Sequence, residues 1–184
     1  MNNPLDVAAI VGSLRRESHN RRLVEALVKL AVPSMRIEIV SIADLSLYNQ
    51  DDEHSPPRPW VEFRARIKRA DAVLFATPEY NRSVPACLKN AVDVGSRPWG
   101  HSVWAGKPAA VISGSPGVLG GFGANHHLRQ SLVAVDMPTM QHPEAYMAGV
   151  DTLLTAEGEF AKPGTRDLCA KFVSSFEDWI RRLA

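Results

Sequence analysis

Five short apolar runs, each followed by a polar break and then a helical repeat, constrain this chain more than any other feature. Leu5–Gly12 is continuously apolar and β-branched, as a strand covered on both faces requires. His19–Ala31 follows with Leu23, Ala26, Leu27 and Leu30 at helical spacing. Val32-Pro33-Ser34 breaks that helix, and Arg36–Ile42 then alternates apolar and polar residues, as a strand at or near a sheet edge does. Trp60–Ala70 returns to a helical period through Val61, Ala65 and Ile67, with Arg64, Arg66, Lys68 and Arg69 as a solvated face. Ala72–Thr77 is a third strand, and Pro85–Val94 is its helix, with Pro85 in the first turn, where a missing N–H costs little. Lys107–Ser113 carries a fourth strand and Asn125–Val135 the next helix. A weak fifth strand runs from Thr139 to about Tyr146, and Arg166–Leu183 closes the chain as an amphipathic helix on Leu168, Phe172, Phe176, Trp179 and Ile180. This alternation predicts an α/β fold: a five-stranded parallel sheet with helices on both faces, in three layers.

In such a sheet ligands bind outside the carboxyl ends of the strands, where the strand order reverses. Strands one, three and four end in atypical loops: Gly12–Asn20, Thr77–Ser83 and Ser113–Gly123. The first is stocked for an anion. Its helix start offers unpaired N–H groups with partial positive charge, Ser13, Ser18 and Asn20 offer further donors, and Arg15 or Arg16 a charge-assisted one. An ordinary strand–turn–helix with solvated arginines is the simpler alternative. Gly12 is the loop's single glycine, so the G-x-G-x-x-G of a dinucleotide site is missing, as are a Walker lysine and a phosphatase thiol. A terminal phosphate monoester suits the loop better. Pro78-Glu79-Tyr80-Asn81 and Ser113-Gly114-Ser115-Pro116-Gly117 together provide backbone amides, an aromatic ring and little side-chain bulk, a slot for a flat heterocycle with polar edges. Taken singly, each could be a plain turn or a flexible stretch.

Composition excludes several functions. The 184 residues suit one domain with a substantial core, 1–184 without repeat or linker. A formal net charge of +1 provides no basic field for nucleic acid. No apolar run approaches the roughly 20 residues of a membrane helix, and the N-terminus lacks the layout of a signal peptide. Cys87 and Cys169 are the only cysteines and are far apart in sequence, so no disulfide framework is expected and a reducing cytoplasm fits. His126 and His127 adjoin the third loop on different helix faces, with His142 nearby; surface or capping roles are expected, and no metal site.

Gly12-Ser13-Leu14-Arg15-Arg16-Glu17-Ser18-His19-Asn20, then Pro78-Glu79-Tyr80-Asn81-Arg82-Ser83-Val84-Pro85-Ala86-Cys87-Leu88-Lys89-Asn90-Ala91-Val92-Asp93, then Ser113-Gly114-Ser115-Pro116-Gly117 resemble the NADPH-dependent FMN reductase family, in particular its chromate and quinone reductase branch. The resemblance spans about Val7 to Gly149. It implies a flavodoxin-like fold (order 2-1-3-4-5), bound FMN, and two-electron transfer from NAD(P)H to a small-molecule acceptor: quinones, free flavins, azo compounds or chromate-like oxyanions. By position it implies that Ser13, Arg15, Ser18 and Asn20 hold the FMN phosphate. Pro78, Glu79, Tyr80 and Asn81 would border the isoalloxazine ring, with Ser113, Gly114, Ser115 and Gly117 at its other edge. Lys89 and Asp93 are expected to be structural or at a subunit contact. Relatives often carry tryptophan after that aspartate, where Val94-Gly95 stands here. The resemblance, with Trp99, Trp104 and Phe122 in or beside the loops, implies a homodimer or homotetramer. No side chain is expected to act as a strong acid or base, because the chemistry belongs to the flavin. An FMN electron carrier, a redox-sensing module without NAD(P)H turnover, and a site for another phosphate monoester remain as alternatives. The stretches 43–59 and 149–165 have no assigned role.

Overall fold

A computed structural model describes residues 3–31 and 33–184. Val32 of the helix-breaking stretch, and the first two residues of the N-terminus, lie outside the described residues. Five strands, β1 (Leu5–Val11), β2 (Met35–Ile39), β3 (Ala72–Thr77), β4 (Ala109–Ser115) and β5 (Tyr146–Ala148), form one parallel sheet in the order β2-β1-β3-β4-β5. The intervening helices are α1 (His19–Ala31), α2 (Arg58–Arg69), α3 (Ala86–Gly95), α4 (Phe122–Ala134) and α5 (Pro163–Leu183). This is the flavodoxin-like order, whose switch point lies between β1 and β3.

The two-residue period of the strands divides the core. Val7, Ala9 and Val11 of β1, with Leu74 of β3 and Ile112 of β4, face α1 and α5; Ala8, Ile10, Phe75 and Val111 face α2, α3 and α4. Both faces are dry, which is why β1, β3 and β4 read as unbroken apolar runs. Among the described residues β2 pairs with β1 alone, at one edge of the sheet, and its sequence alternates.

Several expected boundaries move, each for a tertiary reason. β2 ends at Ile39 rather than Ile42, the last ladder bond being Val40 N–H to the Ala9 carbonyl at 2.8 Å. β4 continues past Ser113 to Ser115, because β5 pairs with it there (Ser113↔Tyr146, Ser115↔Ala148). The fifth strand is therefore Tyr146–Ala148, and Thr139 makes a single bridge to Ala109. α2 begins at Arg58 and buries Trp60, Phe63 and Ile67, leaving Val61 and Ala65 outside. Trp60 sets that phase by stacking on Tyr48 and donating its indole N–H to the Ser46 carbonyl at 3.2 Å. The charged face of α2 is also more than solvated: Arg66 makes a bidentate pair with Asp6, and Arg64 donates to the Val94 carbonyl at 2.8 Å. Pro85 precedes α3 as its cap, α4 begins earlier at Phe122 after the left-handed Gly121, and α5 begins at Pro163. Leu168 of the expected α5 face is exposed, and Cys169 and Val173 are buried instead. Trp104, expected near a subunit contact, is fully buried against Phe63 and Phe75 and donates to the Val92 carbonyl at 2.9 Å.

The 43–59 stretch is pinned. Asn90 of α3 accepts from Tyr48 N–H at 2.8 Å and donates to the Ser46 carbonyl at 2.9 Å. Glu53, in a short 3-10 turn (Gln50–His54), receives the Tyr48 hydroxyl and the Arg97 guanidinium, which hold its carboxyl below the usual range.

Candidate functional site

The loops after β1, β3 and β4 meet on one rim, as parallel strands in register require. They enclose a cleft of about 100 Å³ lined by Ser13, Arg15, Ser18, Asn20, Pro78, Glu79, Tyr80, Gly114 and Ser115. The structure therefore brings nine of the expected residues together. Asn81, Ser113 and Gly117 do not line the cleft; His19, Pro116 and Val150 do.

At its first-loop end, Ser18 caps α1. Its Oγ accepts from Arg21 N–H at 3.2 Å, and its carbonyl takes the first helical bond, from Arg22 N–H at 3.1 Å. The hydroxyl proton of Ser18 stays available to donate, as do the first-turn amides of His19 and Asn20, which precede the first helical bond. Gly12 is glycine because α3 lies against it: a Cβ there would stand 2.9 Å from Leu88 Cδ2 and 3.4 Å from Pro78 Cδ. The first loop is thereby drawn down onto the start of the second.

Asn20 ties two loops together. It is nearly fully buried, and its Nδ2 donates to the Gly114 carbonyl at 3.0 Å, while its Oδ1 has no hydrogen-bond partner among the described residues. A Cβ on Gly114 would come within 3.0 Å of that oxygen and 2.7 Å of Val150 Cγ2. The end of β4 is thus a glycine cradle between Asn20 and Val150. Val150 arrives through the β4–β5 register, with its N–H bonded to the Ser115 carbonyl at 3.2 Å. No local sequence signal points to it.

The second loop is a two-residue turn in which Tyr80 and Ser83 exchange backbone hydrogen bonds at 3.1 and 3.0 Å. Asn81 and Arg82 both have positive φ, 50° and 64°, the type I′ geometry, which an arginine adopts only under constraint. Glu79 supplies that constraint. Its side chain is 10 % exposed; Oε2 accepts from Ala124 N–H in the first turn of α4 at 3.1 Å, and Oε1 pairs with Arg82 at 3.3 Å. Its carboxylate is turned onto a helix N-terminus, where negative charge is favoured. Ser83 adds a contact to His127 Nδ1 at 3.0 Å.

The third loop returns over Gly120 and Gly121. A Cβ at Gly120 would lie 2.6 Å from the Tyr146 carbonyl carbon, so this glycine serves close packing as well as a positive φ. Ser113 points away from the cleft: its Oγ accepts from Asn125 Nδ2 at 3.3 Å, and Asn125 in turn accepts from Arg129 at 2.8 Å. His126 meets the Tyr146 hydroxyl at 2.9 Å, and burial with neighbouring Glu144 pushes that phenol up to about 12. Lys89 and Asp93 form an i,i+4 pair on α3 at 2.8 Å. Among the described residues, no three His, Cys, Asp or Glu side chains converge as a metal site would need.

The donor set fits the phosphoryl end of FMN. Among the described residues, hydroxyls, amides and a guanidinium surround the cleft, and the one carboxylate lining it is committed to α4.

A family described as NADPH-dependent FMN reductase matches residues 5–151. The chain is 56 % identical over 182 residues to a quinone reductase of Pseudomonas putida, covering 98 % of this chain and 97 % of that one. It is 41 % identical to a 2-hydroxy-1,4-benzoquinone reductase of Burkholderia, over 96 % and 97 % of the two chains. A solved flavoenzyme NAD(P)H:(acceptor) oxidoreductase, FerB from Paracoccus denitrificans, superposes with a TM-score of 0.93 at 41 % identity, covering 97 % of this chain and 98 % of that one. Sheet order, loop motifs and full-length similarity agree: the chain is an oxidoreductase that works with FMN and NAD(P)H, and it belongs to the NADPH-dependent FMN reductase family.

Proposed function

We propose that this protein passes two electrons from NAD(P)H to quinones, and also to free flavins, azo compounds and chromate-like oxyanions, by a ping-pong cycle in one pocket. The observation that carries the reading is the cleft itself, with anion donors at the β1 end and a glycine-lined, low-bulk edge at the β4 end. When bound, FMN supplies the hydride and electron chemistry. The chain's residues bind and orient. Ser13, Ser18, Arg15 and the first turn of α1 hold the phosphoryl group, while Pro78, Tyr80, Gly114 and Ser115 border the ring. Asn20 acts by holding the first loop against β4. Glu79 acts by fixing the second loop on α4, so its carboxylate is a positioning group rather than a proton donor. Asn81 and Gly117 lie outside the enclosed part and would meet only ligand that protrudes over the rim. With the rim open, donor and acceptor occupy the same face in turn.

A single domain over 1–184, working in a reducing cytoplasm, agrees with two free thiols and one continuous sheet. Among the described residues no helix is long and apolar enough to cross a membrane. Exposed Trp99 and Phe122 beside the loops support a homodimer or homotetramer, which sizing chromatography at micromolar protein tests; a monomer refutes it. The function is tested by anaerobic stopped flow. NADPH or NADH should bleach the flavin absorbance of the holoprotein, and benzoquinone should then restore it. Bound flavin that neither nicotinamide bleaches would leave an electron carrier or sensor as the better reading.

A further inference from the structure

On the far side of the first loop, between the carboxyl ends of β1 and β2, lies a second crevice of about 400 Å³. It shares Ser13 and Arg15 with the cofactor cleft, so the first loop stands between the two. Val11, Ile39 and Ile42 lie at its base, Val11 and Ile42 nearly buried, and its rim carries Arg15, Arg16 and Arg21. Among the described residues no carboxylate lines it. Among the described residues, none of these three guanidinium groups forms an ion pair. In a chain with 21 basic and 20 acidic residues, three unpaired like charges around one hollow are a local excess.

Their place on the fold makes the excess sharper. Arg21 stands in the first turn of α1, a turn without an acidic residue, and Arg15 and Arg16 just precede it. A helix N-terminus favours anions, so cations gathered there oppose the helix dipole and one another. An anion seated among them reverses both effects. Ser41 adds a neutral donor at the same rim: its Oγ accepts from Ala43 N–H at 3.3 Å, which leaves its proton free.

We infer that this crevice is a second anion subsite that takes the adenosine 2′-phosphate of NADPH, the phosphomonoester lying between Arg16 and Arg21 while Arg15 serves the cofactor cleft. The inference rests on the reading that a nicotinamide nucleotide is the electron donor. Guanidinium forks match a dianionic phosphate bidentately, and an arginine is the usual means of accepting a 2′-phosphate. The crevice then decides NADPH over NADH, and the cofactor cleft next to it does not.

The test uses the FMN-loaded protein with Arg21→Ala and, on the exposed loop, Arg16→Ala. Calorimetry compares adenosine 2′,5′-bisphosphate with 5′-AMP, and steady-state kinetics compares NADPH with NADH. In the wild type the bisphosphate should bind about tenfold or more tighter than 5′-AMP, and each substitution should remove about tenfold of that advantage, the scale of one charge-assisted hydrogen bond. The KM for NADPH should rise correspondingly, with kcat, the KM for NADH and FMN affinity unchanged. Equal binding of the two nucleotides by the wild type would overturn the inference. So would substitutions that raise both KM values alike, or that change only the KM for an anionic acceptor such as chromate. If neither nicotinamide reduces the flavin, the proposed function fails, and the calorimetric comparison still reads the crevice on its own.

Discussion

Glu79→Ala tests how the second loop is held. The wild-type carboxylate accepts from Ala124 N–H at 3.1 Å, and Ala124 is fully buried, so truncation leaves a buried donor with no acceptor. A hydrogen bond to a charged group is worth about 1.5–3 kcal/mol, and a carboxylate at a helix N-terminus adds about 0.3–1 kcal/mol. The Arg82 pair contributes about zero, because Arg82 is 74 % exposed and solvent screens it. The expected loss is about 2–3 kcal/mol, or roughly 5–10 °C in Tm for a chain of this length. Urea unfolding of the FMN-free protein measures it as a lower midpoint at constant slope. Glu79→Gln keeps an acceptor without the charge and should lose about 1 kcal/mol. FMN titration of both variants should show weaker binding in the same order, because the left-handed Asn81–Arg82 turn is no longer anchored. Stability of Glu79→Ala within about 0.5 kcal/mol of wild type would refute the reasoning, since that is the range of substitutions that touch nothing.

Arg15→Ala should weaken FMN binding by about 1.5–3 kcal/mol in a fluorescence titration, the scale of a charge-assisted contact to phosphate; unchanged affinity would remove Arg15 from the anchor. Gly12→Ala sets a Cβ 2.9 Å from fully buried Leu88 and should destabilise by about 1–3 kcal/mol through overpacking, measured by urea unfolding. Burial pushes the Cys169 thiol up to about 12 from an ordinary 9.0. The folded state therefore holds its proton where the unfolded chain has lost it. The resulting stability is complete below pH 9 and is lost as pH rises from about 9 toward 12. Cys169→Ala should flatten that alkaline decline; an unchanged slope would contradict the assignment.

β1, α1 and β3 were legible almost to the residue, because their patterns answer to local constraints: two covered faces, an N-cap serine, and a helix with one apolar stripe. The first loop was legible as a strand–helix junction for the same reason, since Gly12, Ser13, Arg15 and Ser18 are close in sequence. Sequence alone thus determined the layered fold and the rim on which the three loops meet. Tertiary structure decided where side chains turn. Ser113 faces Asn125, Glu79 faces Ala124, Asn20 spans to Gly114, and Trp104 enters the core. Each of these partners comes from another element, so no local period encodes it. The phase of α2 depended likewise on Tyr48, and the ends of β4 and β5 on their mutual register. Val150 reaches the cleft only through that register, and the arginines of the first loop gain a second crevice only because β2 ends beside them. Periodicity records which face of an element is dry; which neighbour covers that face, and where a loop side chain finds its partner, is set by packing between segments distant in the chain.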